Sequence, residues 1–236
     1  MASIIPKNLA MVRERIERAA KHVGREPREI TLVAVTKEVD IKKIKEAVRG
    51  GVKVLGENYV QDAMEKIEKL PHSKELNLHF IGRLQKNKAK YAVELFDMIE
   101  TVDSIELAKE LSKRTKTKLD ILIQVNLSKE QTKGGVTENE TLNLARKIAI
   151  LPNLSLRGLM TIPPFFENPE MARPYFTALR RLAEKIRREN IPGVVMKELS
   201  MGMSNDFEVA IEEGATIIRV GTAIFGERPE KKTDKG

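Results

Sequence analysis

Short apolar runs rich in β-branched residues alternate with amphipathic helical stretches from one end of the chain to the other. The first run, residues 30–37, is apolar almost throughout and is bounded by Pro27 and by Lys37–Glu38, which is typical of a strand buried on both faces of a parallel sheet. Seven more runs follow, each separated from the last by a helical stretch: residues 52–58, 76–82, 98–103, 119–126, 154–162, 194–202 and 216–226. The pattern predicts a strand–helix repeat.

Eight strands, seven intervening helices and a leading helix over residues 6–23 are the elements of a (β/α)8 or TIM barrel, an α/β fold. The alternative is a doubly wound open sheet, which usually has fewer strands and often carries a glycine-rich phosphate fingerprint. Neither GxGxxG nor GxxxxGK(S/T) occurs in the chain. Because no stretch rich in Pro, Gly or Ser divides the chain, we expect one domain over residues 1–228 and a polar tail over residues 229–236.

Composition argues against several other classes of protein. The chain has no cysteine and only three histidines, none of them four residues from another, so we expect no metal site. Lys and Arg outnumber Asp and Glu by 42 to 34, a net charge of +8, but acids and bases alternate at the spacing of solvated helix faces. Nucleic-acid binding is therefore the weakest function considered. No uncharged apolar run approaches the length of a membrane span, so we expect a cytoplasmic protein without membrane contact.

Lys37 is the first candidate for a functional residue. The active site of a TIM barrel lies at the carboxyl ends of the strands, and Lys37 closes the first predicted strand. A lysine at the rim of an apolar interior is a candidate nucleophile that forms a Schiff base with a carbonyl compound. The alternative is an ordinary lysine that closes the strand and extends into water.

The last two predicted strands close on small and hydroxyl residues. Ser200, Gly202 and Ser204 follow one of them, and Gly221 and Thr222 follow the other. Backbone N–H groups in such loops, with a helix N-terminus behind them, form the phosphate site that many barrels carry after strands seven and eight. The alternative is that the serines only cap helices and the glycines only form turns.

Single polar residues in or after the other apolar runs leave two interpretations each. Arg219 needs either a buried acidic partner or a ligand to anchor. His79 is either a general base or a histidine satisfied by a backbone carbonyl. Glu57 and Asn58 either orient a ligand or cap the next helix, and a solvated helix start is enough to explain the cluster Lys86–Lys90.

A lysine nucleophile on the first strand and a phosphate site after the last two describe a ligand with an aldehyde and a phosphate, for which pyridoxal 5′-phosphate (PLP) is the obvious candidate. Seven segments then carry a resemblance: VAVTK, GENYVQ, HFIGRLQKNK, IQVNLSKEQTKGG, GLMTIPP, LSMGMSNDFEVAIEEGA and RVGTAIFGER. From about residue 28 to residue 228, in order and without large gaps, the chain resembles the pyridoxal-phosphate homeostasis protein family. The fold of that family is that of the barrel domain of alanine racemase.

The resemblance implies that a set of strand-end residues binds PLP: Lys37, Asn58, Ser200, Arg219, Gly221 and Thr222. Lys37 would carry the cofactor as a Schiff base, while Ser200 and the two residues after the last strand would hold its phosphate. Arg219 would face the pyridine nitrogen, and Asn58 would lie near the ring. No metal is implied.

The resemblance also implies a function in intracellular vitamin B6 homeostasis, in which the chain buffers PLP or delivers it to apo-enzymes without robust catalysis of its own. Alanine racemase takes its second acid–base residue, a tyrosine, from a further domain, and we expect Tyr59, Tyr91 and Tyr175 to lie in helices or helix starts. The alternative is a PLP-dependent amino-acid racemase with His79 as the second base. We expect a monomer.

Overall fold

The structure is a computed structural model that describes residues 3–70, 75–128, 130 and 134–227. Within these residues, parallel strands form a closed barrel in chain order. The strands are β1 Thr31–Val35, β2 Val54–Glu57, β3 Asn77–Phe80, β4 Met98–Val102, β5 Leu119–Gln124, β6 Leu154–Met160, β7 Val194–Ser200 and β8 Ile217–Val220. Strand β1 pairs with β2 on one side and with β8 on the other, which closes the barrel. The predicted TIM barrel is confirmed, and the predicted tail, residues 229–236, lies outside the described residues.

Helices surround the barrel and follow the strands in the predicted alternation. They are α1 Ile5–His22, α2 Ile41–Arg49, α3 Val60–Ile67, α4 Ala89–Leu95, α5 Ile105–Arg114, α6 Glu138–Ala149, α7 Arg173–Arg188, α8 Phe207–Glu212 and α9 Thr222–Phe225. The predicted leading helix is confirmed as α1. It buries Ile5, Leu9, Val12 and Ile16, which recur every three or four residues along one helix face, and it packs against α2, α8 and α9.

The last predicted strand is too long. Residues 216–226 were expected to be one strand, but β8 ends at Val220 and Thr222–Phe225 form the short helix α9. An apolar run alone does not distinguish a strand from a buried helical turn. Here Ile224 and Phe225 are buried as part of the main core, so burial of the turn explains its apolar sequence.

Alternate residues of the strands point into the barrel. One residue from each of six strands forms an apolar cluster separate from the main core, which in a closed barrel is its interior: Val33, Val54, Met98, Leu122, Met160 and Ile217. Their neighbours Ala34 and Ile218 instead belong to the core between strands and helices. Because strand side chains alternate with a period of two, the next inward positions toward the carboxyl ends of β1, β4 and β8 are Val35, Glu100 and Arg219. We call this apolar cluster the floor of the barrel. The first polar side chains therefore lie one residue layer beyond the floor, toward the carboxyl ends of the strands.

The described residues contain neither a membrane-spanning helix nor a cluster of metal ligands. No helix in the described ranges is both long and apolar enough to cross a membrane. Across the same part of the chain, no group of three or more His, Asp or Glu side chains is placed to hold a metal ion.

Candidate functional site

A buried hydrogen-bonded network lies across the barrel above the apolar floor. His79 Nδ1 lies 2.6 Å from Glu100 Oε1, and Ser200 Oγ donates to Glu100 Oε2 at 2.5 Å. Arg219 Nη1 donates to the same Ser200 Oγ at 2.5 Å, and its Nη2 donates to the Thr161 carbonyl at 2.8 Å. All five residues are buried. The network links β3, β4, β7, β8 and the end of β6.

Glu100 is the anionic centre of this network. Burial alone would raise the pKa of Glu100, but the contact with His79, the charge of Arg219 and the Ser200 hydroxyl outweigh it, so that its pKa lies below the usual range. An ionised carboxylate only accepts hydrogen bonds, so His79 must carry its proton on Nδ1 and donate it to Glu100. His79 is therefore satisfied by a carboxylate, not by a backbone carbonyl as the simpler interpretation held.

Arg219 combines the two interpretations that the sequence left open. Its guanidinium reaches the buried acid Glu100 through Ser200, and burial lowers its pKa while the charges of Glu100 and Asp206 oppose that effect. Arg219 also lines a cavity of about 400 Å³ that opens between the loops after β7 and β8. One face of the side chain is thus fixed by the network, and the residue is also accessible from the cavity.

The wall of this cavity carries a cluster of hydrogen-bonding groups. Gly221 and Thr222, which begin α9, line it together with Ser204 and Val35. The Oγ of Ser204 accepts from the amide of Gly221 at 3.2 Å and from the amide of Ala223 at 3.3 Å. Because both amides donate to Ser204, its hydroxyl can donate its own proton to an anionic group such as a phosphate, with the Thr222 hydroxyl and the Arg219 guanidinium nearby.

Ser200 is not brought together with Gly221 and Thr222. Its side chain is fully buried and both of its hydrogen bonds are made within the network below the cavity. Ser204, four residues later, is the hydroxyl at the loop amides. It was recognised in the sequence as part of the pattern, but it was not among the six residues that the family resemblance singled out.

Asp206 is one of two acids that line the same cavity, the other being Glu227. Burial raises the pKa of this carboxyl, which its hydrogen bond with the Met203 amide and the charge of Arg219 oppose. Its Oδ1 accepts from the Met203 amide at 2.6 Å. Asp206 therefore closes the turn after β7, and it adds a second negative charge near Arg219.

Lys37 lies two residues beyond the end of β1 and is half-buried. No described residue forms a hydrogen bond or an ion pair with its ammonium, and its Nζ lies 5.4 Å from the centre of the Tyr59 ring. Because β1 pairs with β8, Lys37 follows the strand next to Arg219 and Gly221. Val35, two residues before Lys37, lines the cavity, so this unpaired amine follows a strand that reaches it.

The backbone next to Lys37 is held by a buried ion pair. Lys66 Nζ donates to the Thr36 carbonyl at 2.6 Å and to Glu57 Oε1 at 2.7 Å, and the Thr36 hydroxyl donates to the same Glu57 oxygen at 2.5 Å. Helix α3 begins after Tyr59 without a side-chain cap. Glu57 therefore neither caps that helix nor faces a ligand; it fixes the end of β1 from outside the barrel.

Asn58 lies in a different part of the same barrel end. It lines a cleft of about 660 Å³ formed by the loops after β2, β3 and β4. Gly82 approaches it closely, since a Cβ at Gly82 would lie 2.1 Å from the Asn58 carbonyl oxygen. The side chain of Tyr59 lines this cleft and also faces Lys37, so it lies between the lysine and the cleft.

Sequence reasoning missed Glu100. A signal was present, because Glu100 is a single charge within an otherwise uncharged strand, as Arg219 is in β8. The same argument that required a partner for Arg219 could have searched the other strands for a lone acid.

Comparison with known proteins first defines the class. Residues 8–229 match the model of the alanine racemase N-terminal domain. An alanine racemase from Clostridium difficile 630 superimposes with a TM-score of 0.70 at 16% identity, over 95% of this chain and 58% of that chain. The chain is therefore a barrel of the alanine racemase type.

Nearer relatives then define the family. The pyridoxal phosphate homeostasis protein of Aquifex aeolicus is 47% identical over 227 residues, which cover 94% of this chain and 97% of that protein. PipY of Synechococcus elongatus PCC7942, solved with PLP bound, has a TM-score of 0.81 and 34% identity over 94% of this chain and 100% of that chain. This chain belongs to the pyridoxal phosphate homeostasis protein family, and the predicted resemblance is confirmed.

Proposed function

We propose that this chain binds PLP and acts in intracellular vitamin B6 homeostasis, holding the cofactor as a Schiff base on Lys37 without robust catalysis of its own. One observation carries the proposal: Lys37, whose ammonium has no hydrogen-bond or ion-pair partner among the described residues, lies two residues after Val35, which lines the cavity that contains Arg219 and the loops after β7 and β8. The relatives named as PLP homeostasis proteins and the PLP-bound PipY structure support it.

The residues of the cavity fit the polar groups of PLP. The Ser204 hydroxyl, which accepts from the amides of Gly221 and Ala223 and so can donate its own proton, suits a phosphate. Arg219 suits the pyridine nitrogen, and the amine of Lys37 suits the aldehyde. When bound, PLP supplies an aldehyde that reacts with amines and a ring that withdraws electrons.

Arg219 is compatible with holding PLP without catalysis and equally with a racemase. A guanidinium donates hydrogen bonds and does not give up its proton in proteins, so a ring nitrogen that accepts from it stays unprotonated. An unprotonated ring withdraws electrons less strongly. The network of Ser200 and Glu100 holds Arg219 in place below this position.

The first experiment is an absorption spectrum of the purified protein with added PLP, followed by borohydride reduction and peptide mapping. We expect a visible band and a cofactor mass fixed on Lys37, because reduction makes a Schiff base permanent. Lys37→Ala should lose both signals. Lys42→Ala, which changes an exposed lysine five residues away, should keep them. If borohydride reduction fixed as much PLP on the Lys37→Ala protein as on the unchanged chain, Lys37 would not be the Schiff-base lysine.

A second prediction separates the two serines. Ser204→Ala should weaken PLP binding by about tenfold, the effect of one hydrogen bond to a charged group, and should leave binding of pyridoxal, which lacks the phosphate, unchanged. Ser200→Ala should lower the free energy of unfolding but preserve the preference for PLP over pyridoxal, because Ser200 lies in the buried network. Titration of each variant with both vitamers measures this preference. If Ser200→Ala lost the preference for PLP over pyridoxal and Ser204→Ala kept it, Ser200 would be the phosphate-binding serine.

Delivery to apo-enzymes, action in the cytoplasm and a monomeric state belong to the same proposal. Direct delivery can be tested by mixing the loaded protein with the apo form of a PLP-dependent enzyme while an excess of a hydrazide traps free PLP. Recovery of enzyme activity in the presence of the trap supports direct transfer. Recovery that the trap abolishes shows transfer through solution, and light scattering of the loaded protein reports the oligomeric state.

A racemase remains the alternative function, and one observation favours it. As the sequence predicts, Tyr59 lies at the start of helix α3, and the centre of its ring lies 5.4 Å from Lys37 Nζ. A racemase needs acid–base groups on both faces of its substrate. Chiral chromatography after incubation of common amino acids with the loaded protein tests this function. Racemisation that scales with protein and is lost in both Lys37→Ala and Tyr59→Phe would favour the alternative.

A further inference from the structure

The cleft between the loops after β2, β3 and β4 is larger than the cavity beside Arg219 at the same end of the barrel. Its volume is about 660 Å³, against about 400 Å³ for the cavity beside Arg219. Clefts of several hundred Å³ are the usual size for small organic ligands. None of the residues proposed to hold phosphate or to carry the Schiff base lines it.

The charges that line this cleft are mostly positive. Arg83, Lys86 and Lys88 stand against a single carboxylate, Asp103. No described residue forms an ion pair or a hydrogen bond with the Arg83 side chain, which is exposed after β3. Lys88 lies 6.0 Å from the centre of the Tyr91 ring, which leaves its charge unneutralised. The cleft therefore carries more positive than negative charge, with Glu110 as a further carboxylate within electrostatic range of Lys86.

The walls between these charges are partly apolar. Phe80 and Leu84 line the cleft and are buried, and the half-exposed ring of Tyr59 forms one side. A cleft with apolar walls and a few charged groups orients a ligand that has an apolar body and an ionised end. The shared ring of Tyr59 places such a ligand next to Lys37.

We infer that this cleft is a second ligand site, which binds the carboxylate or phosphate of a small organic anion through Arg83 and Lys86 while the body of the ligand lies against Tyr59. The guanidinium of Arg83 matches a planar carboxylate or a phosphate with paired N–H groups. Lys86 follows Arg83 by three residues at the start of the helical turn Lys86–Lys88 and adds a second positive charge. This site is separate from the cavity beside Arg219, and it adjoins the proposed PLP site through Asn58 and through the Tyr59 ring that faces Lys37.

The test uses the ligand-free protein, labelled with ¹⁵N, and two probes with the same aromatic body: phenyl phosphate and phenylacetate. We expect amide shifts that saturate at Asn58, Tyr59 and Gln85. Arg83→Gln should weaken the response by about tenfold, as expected for a lost charge-assisted contact. Arg49→Gln is the matched control, because Arg49 is also exposed and without a described partner, and it ends α2 just before β2, at the other end of the barrel from the cleft.

The two probes distinguish the source of the anion. Saturation by phenyl phosphate alone assigns the site to phosphate esters, and saturation by phenylacetate alone assigns it to carboxylates. The amides of Gly221 and Ala223 report the PLP cavity separately, so failure of one site is distinguishable from failure of the other. Absence of saturable shifts at the cleft, or an equal loss in Arg49→Gln and Arg83→Gln, would overturn the inference.

Discussion

Replacing Glu100 by alanine is expected to lower the free energy of unfolding by about 3–5 kcal/mol, the usual cost of removing one partner from a buried ion pair. Glu100 is fully buried and accepts from His79 and Ser200, and Ser200 in turn accepts from Arg219. Without the carboxylate, the Arg219 charge would remain buried with Asp206 as its remaining acidic neighbour. Urea unfolding followed by circular dichroism measures the difference.

Glu100→Gln isolates the charge of this residue from its shape. The amide fills the same space and still forms hydrogen bonds, so we expect a smaller loss of about 1.5–3 kcal/mol at neutral pH. Glu14→Gln, at an exposed position of α1, should change stability little. A Glu100→Gln protein as stable as the unchanged chain would show that the buried charge contributes nothing to the fold.

The lowered pKa of Glu100 predicts how the free energy of unfolding depends on pH. The pKa of Glu100 is lower in the folded chain than in the unfolded one, where it is about 4.3. Its contribution is therefore fully present above about pH 4.3 and is lost as the pH falls through the folded value. The stability difference between the unchanged chain and Glu100→Gln should narrow as the pH is lowered from about 6 toward 3. A stability difference between the two proteins that stays constant from about pH 6 to pH 3 would contradict the lowered pKa of Glu100.

The order of the elements could be predicted from sequence because each strand and helix carries its own hydrophobic period. The residues at which strands and helices end were harder to predict. Residues 216–226 are mostly apolar, yet α9 begins at Thr222 because Ile224 and Phe225 are buried in the main core. That burial depends partly on α1, which packs on α9 from the other end of the chain. A local pattern does not contain such a contact.

The candidate site also contains residues that the sequence predicts and residues that only long-range contacts identify. Barrel geometry alone directs attention to the strand ends, and so to Lys37, Gly221 and Thr222. It does not distinguish Ser200 from Ser204, since both occur where β7 gives way to a loop. The distinction depends on Glu100, whose strand β4 lies four strands from β8 in either direction around the barrel. Glu100 and Ser200 are 100 residues apart in the chain, so their pairing exists only after the barrel has closed.

Replacing Gly82 by alanine is expected to disturb both stability and the cleft. An added Cβ would lie 2.1 Å from the Asn58 carbonyl oxygen and 2.6 Å from its Cα, which are backbone atoms with no rotamer to change. The Gly82 carbonyl also accepts from the Thr101 hydroxyl at 2.6 Å, so its own backbone is held from the other side. Overpacking of this kind costs about 1–3 kcal/mol or more.

Gly24→Ala is the control that separates close approach from backbone conformation. Gly24 has a φ of +69° and no atom within 4 Å of an added Cβ, so only the cost of a left-handed residue, about 1–2 kcal/mol, applies there. Gly82 has no such φ, and its cost arises from contact alone. In Gly82→Ala we therefore expect larger losses of stability and amide shifts centred on Asn58, with weaker binding of the aromatic anions in the cleft. Equal losses in the two variants, with the Asn58 signal unmoved, would show that the loops after β2 and β3 separate without cost.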